Sequence, residues 1–268
     1  MMRAILSPIL RPIRNPVLGE TGVSFSPSDI ANLGLWLDAN DDATFTGNAY
    51  TGEVSTWTDK SSNARVFSPT TGGNLFVRDY KPQWNGKKVV MFNNTSGYGL
   101  ACPTYNVQED FDTNAIDQTV FTVFHSDDIT NTFGTVYYHL SSGGNGSYFR
   151  LNQTAGNIRY LAASTTSLGT SNSAYVGQPN VVSLRRSVNV LQAFVNGTQQ
   201  GSDVASTAVA TTNVNAQMFL GTSTTSGGSG LLGDLAELII YKRALTTDER
   251  TQVENYLGRK WIQGAIIS

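Results

Sequence analysis

Short apolar runs recur along the chain, most of them alternating with polar positions, and clusters of Gly, Ser, Thr, Asn and Asp separate them. Alternation marks half-buried strands, because side chains of an extended chain point to opposite faces in turn. The strand-like runs are LGLWLDA (33–39), VSTWTD (54–59), KKVVMF (87–92), TVFTVFHS (119–126), TVYYHLS (135–141), SYFRLN (147–152), NIRYLAA (157–163), NVVSLRR (180–186), VLQAFVN (190–196), AQMFLGT (216–222) and DLAELIIYK (234–242). Many short strands divided by turn residues predict an all-β architecture. Asn85-Gly86 and Asn196-Gly197 each have the form of a two-residue hairpin turn, whose central residues need positive φ.

The period changes near the C-terminus. Thr246 followed by Glu249 makes a capping box. Val253, Tyr256, Leu257 and Trp261 then fall on one helical face. Asp248, Glu249, Arg250, Glu254, Arg259 and Lys260 occupy the rest, which is expected to face water.

The N-terminus is different again. Pro8, Pro12 and Pro16 recur every four residues. Each removes a backbone donor and disfavours helix before it, so residues 1–22 are expected to be extended. The prolines, with Arg11 and Arg14, also interrupt any signal-peptide core, and the segment reads as retained. Its apolar content predicts docking, on another protein or on its own domain. The docking candidates are Ile5, Leu6, Ile9, Leu10, Arg11, Ile13 and Arg14. The organisation expected is an arm over 1–23 and one β domain over 24–268.

Composition narrows the partners. The chain has 268 residues, a formal net charge of −2 and 14% charged residues. That balance points to no nucleic-acid partner and no anionic-membrane partner. No run of 18 apolar residues predicts a transmembrane helix. Cys102 is the single cysteine, so no intrachain disulfide forms, and it reads as a small buried hydrophobe.

Candidate chemistry is sparse. Asp234 and Glu237 stand three apart in an apolar run. In a regular strand they point to opposite faces and cannot share one glycosidic bond. Periodicity alone also fits a helix there, whereas Ile239, Ile240 and Tyr241 favour strand. The pair is therefore read as framework, and no catalytic residue is assigned. Residues 228–233 spell G-x-G-x-x-G, but a strand-like run follows them where nucleotide binding needs a helix. Two histidines, His125 and His139, give no zinc set. Asp38, Asn40, Asp41 and Asp42 superficially resemble a calcium loop, but Ala43 and Ala49 break the EF-hand spacing. No cofactor is assigned. An irregular calcium site on a rim stays open beside the plain reading of an acidic turn. Trp36 and Trp57 read as core, whereas Tyr98, Tyr105, Tyr148 and Tyr175 lie in or near loops and could stack on a sugar.

These residues carry a resemblance. LGLWLDANDDATFT…VSTWTDKSSNAR…KPQWNGKKVVMF resembles the opening of laminin-G-like, concanavalin A-like jelly-roll domains of bacterial and phage surface proteins. The matching positions include Trp36, Asp38, Trp57, Asp59, Asn63, Asn85 and Gly86, with Ser62 standing where those domains usually have Gly. FVNGT, which holds Asn196 and Gly197, also matches. GDLAELIIYKRALTTDERTQVENYLGRKW is similar to the family's ending through Gly233, Asp234, Glu237 and Trp261. The likeness spans about residues 27–261.

The resemblance implies a concanavalin A-like jelly-roll sandwich of two antiparallel sheets, an extended N-terminal arm and one C-terminal helix. It implies a concave face that often binds glycan, sometimes calcium at a rim, and no common catalytic carboxylates. The arm looks like the short basic, proline-rich starts of phage structural proteins. The resulting expectation is a non-enzymatic virion protein on the surface of a phage particle, of the tail-fibre or receptor-binding type. Its expected partners are other virion proteins through the arm and host-surface glycan. It is expected to form a homo-oligomer, with a trimer as a guess from virion symmetry. The alternatives are a head-decoration or head-fibre protein without a specific ligand, and a bacterial surface or secreted glycan-binding module. A glycan hydrolase ranks third, because no same-face carboxylate pair is expected.

Overall fold

A computed structural model describes residues 25–48, 50–70, 77–93, 98–105, 117–127, 133–140, 146–152, 157–162, 167–171, 177–188, 190–205, 216–223 and 230–262. The docking candidates of the arm lie outside them. So do Tyr175 and Gly228, the first glycine of G-x-G-x-x-G.

The strands in chain order are β1 (Leu33–Asp38), β2 (Phe45–Asn48), β3 (Glu53–Thr58), β4 (Val66–Pro69), β5 (Val77–Lys81), β6 (Lys87–Asn93), β7 (Leu100–Tyr105), β8 (Gln118–Ser126) and β9 (Phe133–Leu140). They continue with β10 (Gly146–Asn152), β11 (Asn157–Ala162), β12 (Ser167–Ser171), β13 (Asn180–Ser187), β14 (Val190–Val195), β15 (Thr198–Gln199), β16 (Val204–Ala205), β17 (Ala216–Leu220) and β18 (Leu232–Tyr241). One α-helix, α1 (Thr247–Trp261), closes the fold.

Two faces are built from these strands. The first runs β2-β3-β5-β6-β18-β8-β13-β14, with β1 beside the second half of β18 and β15 and β16 at the far edge. The second runs β4-β7-β17-β9-β10-β11-β12. Strand β4 also pairs with β3, so the hydrogen-bonded network is continuous between the faces. Every ladder among the described residues is antiparallel, as the jelly-roll reading requires.

Strand β8 shows how alternation sorts the core. Val120 and Phe124 look into the sandwich, where Phe124 meets Phe149 of β10 edge to face at 5.3 Å. Phe121 and Val123 look the other way, under α1, where Phe121 meets Tyr241 at 6.1 Å. Both sides of β8 are buried, and its apolar pairs Val120-Phe121 and Val123-Phe124 are separated only by Thr122. Each such side chain contributes about 1.5–3 kcal/mol on burial.

Helix α1 starts as its sequence predicts. Thr246 Oγ1 accepts the Glu249 amide, and the Glu249 carboxylate accepts the Thr246 amide. Val253, Leu257 and Trp261 are fully buried against the first face. Its polar side departs from expectation. Arg250 and Glu254 are buried too, paired at 2.6 Å, and Ser183 of β13 donates to Glu254 at 2.6 Å. The Arg250 guanidinium lies 3.8 Å from the Phe194 ring centroid. The helix is therefore held on two flanks, and only a strip of it faces water.

The turns divide similarly. Asn196 and Gly197 have φ of 48° and 81° and join β14 to β15 as a two-residue hairpin. Asn85 and Gly86 also have positive φ, but a 3₁₀ turn at Pro82–Trp84 precedes them. Lys81 pairs with Lys87, so the loop spans five residues rather than two. Strands β2, β4, β5, β7 and β12 were not among the predicted runs. They are short or interrupted by Gly, Ser, Pro and charged residues.

Candidate functional site

Trp36, Asp38, Asp234, Glu237 and Trp261, all singled out in the sequence, converge on one buried cluster beneath α1. The carboxylates of β18 organise it, and here the expectation from simple alternation fails. Asp234 pairs with His125, Leu235 with Phe124 and Glu237 with Val123. Ala236 is thus the extra residue of a β-bulge, which returns Glu237 to the same face as Asp234. Both carboxylates point toward the helix.

Their surroundings are closed. Glu237 is fully buried. It accepts hydrogen bonds from Trp36 Nε1 at 2.7 Å, Trp261 Nε1 at 2.6 Å, Lys260 Nζ at 2.7 Å and the Tyr256 hydroxyl at 3.0 Å. Burial pushes its carboxyl above the ordinary value. Lys260 opposes this, and the nearby charge of Asp38 adds to it. Asp234 accepts from Lys81 Nζ at 2.5 Å and Trp84 Nε1 at 3.0 Å, with His125 Nδ1 at 3.4 Å. Burial alone would raise its pKa, but His125, Lys81 and Trp84 together hold it below the usual carboxylate value.

The other motif residues extend the same network. Asp38 lies 2.8 Å from Lys260 and 3.3 Å from Lys60, whose ammonium sits 4.1 Å from the Trp36 ring. Asp59 accepts the Trp36 and Ser61 amides at 2.7 and 2.8 Å. Asn63 Nδ2 donates to the Gly34 carbonyl at 2.9 Å, and Asn85 Nδ2 reaches the Lys260 carbonyl at 3.3 Å. Trp57 is fully buried and stacks on Phe45 at 5.1 Å. Asn196 Oδ1 accepts the Val181 amide at 3.0 Å, far from this cluster along the first face. Gly233 has φ of +150°, and a Cβ there would lie 2.0 Å from the His125 carbonyl oxygen, so the close approach of β18 to β8 requires glycine. Trp84, Lys260, Lys60 and Lys81 were missed by sequence reasoning. Only the PQW triplet and the Lys-Trp ending hinted at two of them.

Chemically this cluster is a latch. Its carboxylates are spent on indoles, ammonium groups and a phenol. The acidic turn is spent in the same way. Asp41 is 2.6 Å from Lys60, and Asp42 is paired with Arg78 and Lys88. Lysine and arginine groups stand where a calcium-loop reading would put a cation. Among the described residues, no group of three or more His, Cys, Asp or Glu is placed to hold a metal ion.

The open feature is elsewhere. A cleft of about 420 Å³ lies between the β2–β3 hairpin and the β5–β6 ladder. Tyr50 and Tyr80 line it, 101% and 61% exposed. Arg78 and Lys88, both paired with Asp42, bring charge to it, and Asn48, Glu53 and Asp79 are among its other lining residues. In the β5–β6 ladder Tyr80 stands opposite Lys88, and Arg78 falls on the same side two residues away. Asn48 Oδ1 accepts the Tyr50 amide at 3.0 Å, which shapes the hairpin tip. Large aromatic rings facing solvent beside planar polar groups form a surface that is apolar on the ring face and wet at the edge. Neither tyrosine was a sequence candidate. Of the four that were, Tyr148 lies in β10 rather than a loop. It is buried and stacked on Tyr138 at 5.6 Å, under Arg150.

Comparisons fit this architecture. A family model described as the concanavalin A-like lectin/glucanases superfamily matches residues 108–249. No curated protein matches the sequence. Among solved structures, the Trypanosoma rangeli sialidase in complex with sialic acid aligns over 86% of this chain and 33% of its own, at 15% identity and a TM-score of 0.58. A structure of botulinum neurotoxin type C, whose cell entry is described as dependent on two ganglioside molecules, aligns over 87% and 53%, at 10% identity and a TM-score of 0.61. The binding domain of botulinum neurotoxin DC, in complex with rat synaptotagmin II, aligns over 87% and 52%, at 11% identity and a TM-score of 0.60. The chain spans about a third of the sialidase and about half of the neurotoxin chains. At these identities the likeness is one of fold.

Proposed function

We propose that this chain, which belongs to the concanavalin A-like lectin/glucanase superfamily, is a non-catalytic carbohydrate-binding domain whose ligand lies in the Tyr50–Tyr80 cleft. The observation that carries this reading is the pair of solvent-facing tyrosines in an open cleft with polar groups at its edge. A sugar ring offers an apolar C–H face to an aromatic ring and hydroxyls to the polar rim. The enclosed state of Asp234 and Glu237 supports a binding role over a hydrolytic one. Solved proteins of the same fold that engage sialic acid or gangliosides lend general support.

The setting we infer is a phage virion, with the domain facing outward on the tail or head. Ile5, Leu6, Ile9, Leu10, Arg11, Ile13 and Arg14 would dock it on a neighbouring virion protein, in a homo-oligomer such as a trimer. The docking rests on the apolar, basic, proline-punctuated arm, and the trimer on the symmetry habits of virions.

The test is a glycan array with the wild-type chain and with Tyr50→Ala and Tyr80→Ala. Binding that either variant weakens roughly tenfold, about 1.4 kcal/mol, supports the site. A flat array would leave decoration without a ligand as the better reading. Co-sedimentation with particles, with and without residues 1–22, tests the docking.

A further inference from the structure

The latch beneath α1 sets one lysine between two carboxylates. Asp38 and Glu237 stand directly opposite each other in the β1–β18 ladder. Lys260, from the last turn of α1, places its Nζ 2.8 Å from Asp38 Oδ2 and 2.7 Å from Glu237 Oε2. Little of this group is open to water. Asp38 and Glu237 are buried, and the Lys260 side chain is 15% exposed. Trp36, Tyr256 and Trp261 enclose the Glu237 carboxylate with one donor each. Lys260 is tied down as well. Its Nζ donates to the Tyr256 hydroxyl at 3.0 Å, and its carbonyl accepts from Asn85 Nδ2. An amine, a carboxyl in contact with it and a second carboxyl able to carry protons are the parts of an amide-forming reaction.

We propose that Lys260 Nζ and the Asp38 carboxyl carbon condense into an isopeptide bond, with Glu237 carrying the protons, so that the first strand of the sandwich is locked covalently to the closing helix. Glu237 first moves one proton from the Lys260 ammonium to Asp38 Oδ2, which leaves a neutral amine beside a neutral acid. The amine attacks the carboxyl carbon, and the charge that builds on Oδ1 meets the Asn40 amide, 3.1 Å away. Glu237 moves a second proton from Nζ to Oδ2. The carbon–Oδ2 bond breaks, Oδ2 leaves as water, and Nζ keeps one proton as an amide. Burial above all, aided by the Asp38 charge, lifts the Glu237 carboxyl above its ordinary value against the pull of Lys260, so it accepts a proton readily. Lys60 also lies 3.3 Å from Asp38 Oδ2, but it does not compete for the carbon. Burial works against its charge, yet Asp41 and Asp38 hold it above its ordinary value, so it stays an ammonium. Fixed contact between reactants is worth an effective concentration on the order of 10⁵–10⁸ M, which favours a condensation that free acids and amines scarcely make in water. The reaction runs once, on the chain itself, and is independent of the carbohydrate reading.

The experiment weighs the full chain by mass spectrometry after folded incubation and then maps its tryptic peptides. The expected mass is that of the sequence less one water, with or without Met1. Trypsin should release residues 15–60 joined to 260–268 through Asp38 and Lys260, because an acylated lysine is no longer cut. Asp38→Ala and Lys260→Arg should each restore the full sequence mass. Glu237→Gln should do the same while circular dichroism shows the fold kept. The wild-type mass carries the test even where a variant folds poorly. A wild-type chain that stays at its full sequence mass would overturn the inference and leave Lys260 as an ion-pair partner only. A lost water that survives Lys260→Arg, or that maps to an aspartyl succinimide, would overturn it too.

Discussion

Trp84 and Trp261 meet edge to face, their ring centroids 6.0 Å apart at 89°, and each donates its indole N–H to a different carboxylate of β18. One tryptophan comes from a 3₁₀ turn in the first third of the chain and the other from the last turn of α1. Asp234 and Glu237 hold them together. This contact joins the chain's early strands to its closing helix.

Truncating Trp261 should therefore release the end of α1. We expect Trp261→Ala to cost about 3–5 kcal/mol, by loss of a fully buried ring and of one donor to Glu237. Glu237→Leu should cost a similar ~3–5 kcal/mol, because Lys260 and two indoles lose their acceptor. Urea unfolding checks both, and a loss below ~1 kcal/mol for Glu237→Leu would show that the latch is not a main support.

The bulge makes a sharper prediction. Deleting Ala236 should leave Asp234 and Glu237 two apart, so that plain alternation keeps both toward α1 with the pairing to β8 unchanged. The deletion should therefore keep cooperative folding at a cost of roughly 1–3 kcal/mol, from the disturbed Ala39–Ala236 hydrogen bond and local repacking, and Ala236→Ser should be tolerated within ~2 kcal/mol. A deletion variant that lost native circular dichroism would contradict this register.

Gly233→Ala should be costly for a different reason. The added methyl would meet the His125 carbonyl at 2.0 Å, at a φ of +150° that side chains rarely adopt. A loss of roughly 2 kcal/mol or more is expected by thermal melting, with the β8–β18 ladder loosened at its start.

Acid should destabilise the protein through His139. Burial first, and the Arg65 charge second, hold its imidazole at about 3, against an ordinary value of 6.5. The unfolded chain therefore binds a proton that the folded chain refuses between those values. This contribution is fully present above pH 6.5 and is lost as pH falls toward 3, with a slope of up to about 1.4 kcal/mol per pH unit. Glu249, held at about 2 by Arg243, adds a further loss below its ordinary 4.5. Chemical denaturation from neutral to acid pH measures the slope, and His139→Gln should flatten its upper part.

Much of this architecture follows from local rules. Alternation marked most of the long strands because each buries at least one face, and period two survives wherever pairing is regular. The capping box at Thr246 and Glu249 and the Asn196-Gly197 turn are local events, set by residues two or three apart, and the chain spells them directly. The motif residues were legible as a set, although their shared purpose was not.

Tertiary structure decided the rest. Counting by twos sent Asp234 and Glu237 to opposite faces, yet the bulge at Ala236 reunites them. A bulge is defined by the mismatch with a partner strand, here β8, more than a hundred residues earlier in the chain. Arg250 and Glu254 look solvated on a helical wheel, but β13 and β14 rise beside that flank and bury them. Tyr50 and Tyr80 sit in unremarkable polar stretches thirty residues apart, and only the folding of the β2–β3 hairpin against the β5–β6 ladder makes them two walls of one cleft. Local sequence thus determined most of the long strands, the Asn196-Gly197 turn and the helix, because those choices depend on near neighbours. Which carboxylates are enclosed and which aromatics stay open depended on segments distant in the chain, and the packed structure alone could assign them.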